Sequence, residues 1–237
     1  MPNEFLLIAS LLFTFSAVVV LFYFFKEQGL YLWTIVATIA ANIEALIVIN
    51  AFGMEMTLGN ILFASTFLVT DILSEVYGKE IAKKAVYLGI ATSIIFIPIS
   101  SSWLLYTPNE NDWAMPSIRT IFSNTPRLML VGIVVYVVVQ LFDVWAYHKW
   151  WAFTTKKFGD SKKFLWLRNN GSTMISQLIN TVLFTLGAFL GVYNVQTLIS
   201  IMISSYAIFL VTSLADTPFV YLARYIYEKK QRSLPNV

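Results

Sequence analysis

The chain contains no cysteine, so a disulfide framework, a thiolate nucleophile and a cysteine metal site are all excluded. His148 is its only histidine; an HExxH zinc site cannot be written, and no other histidine-based metal site is expected. No GxxxxGK[ST] stretch occurs, so the chain has no P-loop with which to hydrolyse ATP. Charge is also scarce. Only 12% of the 237 residues are Asp, Glu, Lys or Arg, about half the share usual in a soluble domain. The net charge of +3 is too small to argue for a nucleic-acid partner. No polar stretch is long enough for a separate soluble domain.

What remains is apolar: 58% of the residues are hydrophobic and the mean hydropathy is +0.71. These values place the chain among polytopic, all-α membrane proteins, read as one transmembrane domain over residues 1–237. The N-terminal MPNEFLLIAS lacks a basic n-region and carries Glu4, so a retained first helix is expected rather than a signal peptide. Seven apolar segments follow one another, roughly 4–25, 30–52, 57–77, 81–106, 125–147, 171–193 and 196–222. Each is near the ~20 residues that cross a hydrocarbon core. Residues 53–56 and 191–194 are then expected as tight turns, and Pro98 as a kink.

The basic residues segregate. Lys26, Lys79, Lys83, Lys84, the run from Lys149 to Arg168, and Arg224 to Arg232 fall on one side of a seven-span chain, leaving Arg119 and Arg127 on the other. The positive-inside rule makes the first side cytoplasmic, with the N-terminus outside and the C-terminus inside. Trp145, Trp150, Trp151 and Trp166 flank the cytoplasmic loop, and Trp103 and Trp113 the outer one, as interfacial belts do. The basic loop 154–163 reads as a solvated, positive-inside loop that could touch anionic lipid.

A charged side chain near the bilayer centre costs about 2.5–3.5 kcal/mol on insertion scales, so the few polar residues inside these segments carry the functional signal. They are Asn42, Glu44, Asn50, Asp71, Glu75, Gln140, Asp143, Gln177, Asn180 and Asp216. Asp71 and Glu75 are four apart; Gln140 and Asp143, and Gln177 and Asn180, are three apart. Each pair shares a helix face. Asp71 falls about two turns from the cytoplasmic end of its segment, and Asn42 and Glu44 near the middle of theirs. The stripes converge on a layer between the midplane and the cytoplasmic third, where a carrier keeps a polar pocket. Local readings stand beside this one. Glu75 could pair with Lys79, Asp143 with Lys149 or Arg168, and Asp216 could satisfy backbone freed by Pro218. The amides could be interhelical glue. His148 reads as an interfacial side chain. Asn42 and Glu44 point in different directions, so one of them packs elsewhere.

TDILSEVYGKEIAKKA (70–85), QLFDVW (140–145) and RNNGSTMISQLINTVLF (168–184) resemble the signature segments of the queuosine-precursor transporters, within the vitamin-uptake-like transporters. The combination of D-x-x-x-E-x-Y-G, Q-x-x-D and S-Q-x-x-[DN]-T carries the resemblance, with support from Asn42 and from DTPFVYL (216–222). It covers about residues 30 to 225. It implies a carrier for the 7-deazaguanines preQ0 and preQ1 in a bacterial cytoplasmic membrane. It also implies a six-helix core similar to the substrate-binding subunits of vitamin importers, with residues 1–28 as an added first helix. Many members have Asp where this chain has Asn180, and a Lys in the last helix, where Tyr206 to Phe209 carry none. The two departures together would replace an ion pair by neutral groups, or would change substrate choice.

Asn42, Asp71, Glu75, Gln140, Asp143, Gln177 and Asn180 are therefore the expected substrate-binding residues, with Phe67, Tyr136 and Phe184 as candidate ring-stacking partners. No cofactor, metal or catalytic role is expected, and a homo-oligomer or an ATPase partner stays open. An intramembrane enzyme would need a nucleophile–base pair or metal ligands; only Asp71 with another Asp could form an aspartyl dyad, and the Y-D…G-x-G-D context of intramembrane aspartyl proteases is missing. A non-catalytic assembly subunit would need no convergent polar layer. A carrier of another purine-like or vitamin-like molecule is the nearer alternative.

Overall fold

The structure is a computed structural model that describes residues 2–123 and 126–232, without the side chains of Glu55, Ser123 and residues 126–129. Seven helices and one hairpin make up the described chain. In order they are α1 (Asn3–Glu44), β1 (Val48–Ala51), β2 (Met54–Thr57), α2 (Asn60–Tyr77), α3 (Lys79–Trp103), α4 (Met115–Ser123), α5 (Pro126–Phe158), α6 (Leu165–Phe189) and α7 (Val195–Arg232). Five of them (α1, α3, α5, α6 and α7) are long and apolar enough to cross a membrane.

Helix α1 is two helices joined at an elbow. Lys26 leaves helical geometry with φ 54° and ψ −135°, and the chain doubles back so closely that a Cβ on Gly29 would overlap the Leu21 carbonyl. In a straight helix residues 21 and 29 would stand about 12 Å apart. The far ends meet as well. Asn3 Nδ2 donates to the Asn50 carbonyl at 2.9 Å, and the Phe52 amide donates to Glu4 Oε1 at 3.1 Å. The two arms, residues 3–25 and 27–44, are therefore antiparallel.

The second apolar segment, expected as helix to residue 52, ends at Glu44. Its remainder forms an antiparallel hairpin in which Val48 faces Thr57 and Ala51 faces Met54. Phe52 and Gly53 have φ of 52° and 72°, the twin left-handed residues of a type I′ turn. The run Ile47–Val48–Ile49 carries β-branched side chains that suit a strand as well as a buried helix. Ala51 and Met56 pack with Leu7 and Ile61, tying the hairpin to the bundle.

Helix α2 is the central element. It is buried on every side from Ala64 to Ser74 and packs against α1, α3, α5 and α7. Its polar residues therefore meet protein rather than lipid. A single residue, Gly78 at φ 87°, joins it to α3. Helix α3 continues through Pro98 to Trp103. Helix α4 was not anticipated: the Asp112 carboxylate accepts from the Met115 amide at 2.9 Å to start it, and Phe122 packs on Trp103 and Phe96. Residues 191–194 form the expected turn, with Gly191 at φ 82°. The apolar side chains that stay exposed, among them Phe5, Phe13, Phe24, Ile94, Val138 and Ile203, lie on the outside of the helices, a surface suited to lipid.

Candidate functional site

The polar residues of the interior lie in three tiers between the hairpin end of the bundle and the end that carries the basic loops. Helix α6 connects the tiers. Asn169, Ser172, Thr173, Ser176, Gln177 and Asn180 recur at three- and four-residue spacing, all buried, as one stripe turned toward α2, α5 and α7.

The first tier is a cavity at the hairpin end, part of it open to solvent. Asn42, Asn60, Thr66 and Asn180 contribute its polar walls, and Phe63, Tyr136, Phe184, Phe189 and Phe209 its aromatic ones. Asn42 belongs to the last turn of α1, where its amide donates to the Thr38 carbonyl at 2.7 Å. The early end of the helix thus puts Asn42 beside the hairpin rather than at mid-depth. Glu44 stands at the same helix end and does not line the cavity. At the floor, Gln140 Nε2 donates to Thr66 Oγ1 at 2.6 Å, while Thr70 Oγ1 approaches Gln140 Oε1 at 3.5 Å. Asn180 Nδ2 donates to Gln177 Oε1 at 3.3 Å. Four of the seven residues expected from the sequence thus gather at or immediately below the cavity.

The second tier holds three buried carboxylates. Asp71 of α2 accepts from Thr173 Oγ1 at 3.3 Å, Asp143 of α5 from Ser176 Oγ at 2.8 Å, and Asp216 of α7 from Asn169 Nδ2 at 2.7 Å. Each neighbouring helix supplies one acid and α6 supplies its donor. Among the described residues no cation bridges any of the three. The sequence allowed Asp143 to pair with Lys149 or Arg168, and Asp216 to serve the proline backbone; the observed partners are Ser176 and Asn169. Neither Asp71 nor Asp143 lines the cavity. Along α2, Asp71 lies eleven residues below Asn60, about 16 Å of helix.

The third tier is an ion pair. Glu75 receives both its oxygens' hydrogen bonds from Arg168, through Nη2 at 2.6 and 2.7 Å and Nε at 2.9 Å. Tyr147 Oη donates to the same carboxylate at 2.8 Å, and Arg224 Nη1 reaches it at 3.1 Å. The Arg168 guanidinium stacks 4.4 Å from the Trp151 ring centre. The side chains of Arg168 and Glu75 are 0% and 3% exposed. Lys79 is not the partner of Glu75. Arg168 looks like one more positive-inside residue in the sequence; its register, one turn before Ser172 on the polar stripe, was the available signal that it points inward. Asn60, Phe63 and Thr66 were also missed, because a helix start and an aromatic in an apolar run carry no distinctive pattern. Tyr136 and Phe184, named as stacking candidates, face the cavity, whereas Phe67 packs between Val135 and Val139.

A family described as "Putative vitamin uptake transporter" has a model that matches residues 57–223. The chain belongs to this family. A relative from Bacillus subtilis (strain 168), named "Probable queuosine precursor transporter", is 36% identical over 217 residues, covering 91% of this chain and 93% of the relative. No solved structure matches. The vitamin-uptake match runs from β2 into α7, so it contains the three tiers apart from the α1 wall of the cavity, Asn42 included, and Arg224. A multi-pass membrane protein follows from this membership together with the five long apolar helices.

Proposed function

We propose that the protein is a carrier that brings a queuosine precursor, a 7-deazaguanine such as preQ0 or preQ1, into a bacterial cell across the cytoplasmic membrane. The observation that carries the reading is the cavity. It is floored by the Gln140–Thr66 contact, walled by aromatic rings and supplied with side-chain amides, with the Glu75–Arg168 pair deeper toward the basic end. A deazaguanine presents donors at N1–H and the exocyclic amine and an acceptor at O6. Asn42, Asn180, Gln140 and Gln177 offer both kinds of group, as amides can. Tyr136 and Phe184 supply faces for the flat ring. The name of the Bacillus relative supports the substrate class. Asp71, Asp143 and Glu75 belong to the same transport path but lie below the contacts.

The membrane arrangement we propose has seven traverses: the two arms of α1, then α2, α3, α5, α6 and α7. The hairpin end faces outward and the basic end faces the cytoplasm. The first arm is then an addition to a six-helix core similar to vitamin-importer binding subunits. The test is binding and uptake. PreQ0 and preQ1 should each raise the thermal stability of the purified protein more than guanine does. Asn180→Ala and Gln177→Ala should abolish uptake of labelled precursor while the protein still inserts. Wild-type uptake in both variants would remove these residues from the contacts, and the absence of any stabilisation would remove the substrate class.

A further inference from the structure

We infer that Asp71 and Asp143 are the proton-binding sites that couple uptake to the proton gradient, an inference that rests on the carrier reading above. The two carboxylates sit between the cavity and the Glu75–Arg168 seal and touch neither. Asp71 is 1% exposed and Asp143 0%. Asp71 accepts from Thr173 and Asp143 from Ser176, and the other oxygen, Oδ1 of Asp71 and Oδ2 of Asp143, is buried with no hydrogen-bond partner. Asn169 Oδ1, a buried acceptor on the α6 stripe that faces them, also lacks a donor. It belongs to a residue that carries no charge, so the shortage of donors extends beyond the acids. A buried acceptor without a donor is costly, and a buried charge more so. A proton relieves both costs at a carboxylate.

The surroundings favour a proton over a metal cation. The charged groups acting on Asp71 are Asp143 from α5, Asp216 from α7 and Glu75 from its own helix, and Tyr147 of α5 faces it as well. From α6 come the neutral Thr173 and, lower down, Arg168, which Glu75 already holds. Asp143 faces Ser172, Thr173 and Ser176 of α6, with Asp71 and Asp216 as its acidic neighbours. On α1 and α3, which also pack on α2, Tyr31 and Lys84 engage each other. So three acids share this interior and the cations nearby are committed elsewhere. Among the described residues, no three acidic or histidine side chains converge as metal ligands would. A proton needs one carboxylate and no coordination shell.

Polar side chains lead from the cavity toward the acids. Thr66 lines the cavity and bonds Gln140, and Gln140 is one turn above Asp143 on α5. Asn180 lines the cavity and bonds Gln177, which is next to the Ser176 that holds Asp143. A proton taken from water in the cavity binds a carboxylate oxygen as O–H, and after the carrier reopens to the basic side it returns to water there. The acid regains its charge and nothing else is consumed.

The first experiment needs no substrate. Infrared difference spectra of the purified protein in lipid, recorded on acidification, should show bands of protonated carboxyl groups. Asp71→Asn and Asp143→Asn should each remove one of them. The amide preserves the oxygen that accepts from Thr173 or Ser176, so the fold is kept. In the second experiment the reconstituted protein, given labelled preQ1 or preQ0, should accumulate it several-fold when the hairpin side is made acid. The two variants should bind the precursor as the wild type does but only equilibrate it. If neither variant changes the bands, or both accumulate precursor normally, the inference is overturned. Accumulation driven by sodium in place of protons also overturns it. Binding without a gradient response defeats the coupling alone. No binding defeats the substrate reading, and the infrared bands still decide whether these acids take protons.

Discussion

The two ends of the bundle solve opposite problems with the same helices. At the hairpin end, α2, α5, α6 and α7 stand apart around a cavity whose polar groups are neutral amides and hydroxyls. At the basic end the same helices are drawn together on Glu75, which binds Arg168, Arg224 and Tyr147 at once. Neutral groups leave a space that a ligand can enter, since an amide loses little by waiting in water. A buried carboxylate and guanidinium cannot wait; each requires the other, and separating them leaves an unpaired charge inside the protein. The pair thus ties four helices together at one end, and parting them requires water or new partners for both charges.

The largest contrast is one of access. The chain has no cysteine, so a single introduced thiol reports its own position. Ser205→Cys, on the cavity wall, should react with a membrane-impermeant maleimide added at the hairpin side. Ser172→Cys, fully buried in the acid tier, should not react. Equal labelling would mean that the acid tier is as open as the cavity.

Next in size is the seal itself. Arg168→Ala should cost about 3–5 kcal/mol, the usual penalty for leaving one member of a buried pair, read as a lowered unfolding midpoint in detergent. Glu75→Gln with Arg168→Leu should recover much of that loss. If the double variant is no better than the single, the pair is not what holds this end.

A smaller effect is expected at the cavity wall. A Cβ on Gly89 of α3 would overlap the Tyr136 ring, so Gly89→Ala should cost about 1–3 kcal/mol and weaken precursor binding by moving that ring. At Gly132 the nearest atom is Asn42 Oδ1 at 3.7 Å, an ordinary contact, so Gly132→Ala should leave both stability and binding near wild type. Equal losses in the two variants would show that the cavity wall does not depend on Tyr136. The smallest effect belongs to the surface. Lys162 and Glu228 meet at 3.3 Å with the lysine 69% exposed, and Lys162→Ala should change the midpoint by less than about 1 kcal/mol.

Much of the interior was legible because helical periodicity is a local property. Gln177 and Asn180, or Gln140 and Asp143, share a face wherever the helix goes, and a polar pair in an apolar run has to find company. What the sequence misplaced depends on depth and pairing. Asn42 reads as mid-membrane only if its helix continues to residue 52, and the change to a hairpin at Val48 moves it to the cavity. Val48 and Ile49 suit either structure, and the Phe52–Gly53 turn decides. Arg168 counts as a surface cation in any tally of basic loops, yet it is fully buried because Glu75, 93 residues earlier, needs it.

By itself the sequence determined that this is a helical membrane protein, which end gathers the basic residues, and which helix faces are polar. These follow from composition and spacing, and burial in lipid punishes any other arrangement. Only the tertiary structure decided the vertical order: amides around a cavity, carboxylates beneath it, and an ion pair at the bottom. That order depends on how far each helix slides past its neighbours. Sliding is set by packing between residues distant in the chain, and spacing along one helix does not record it.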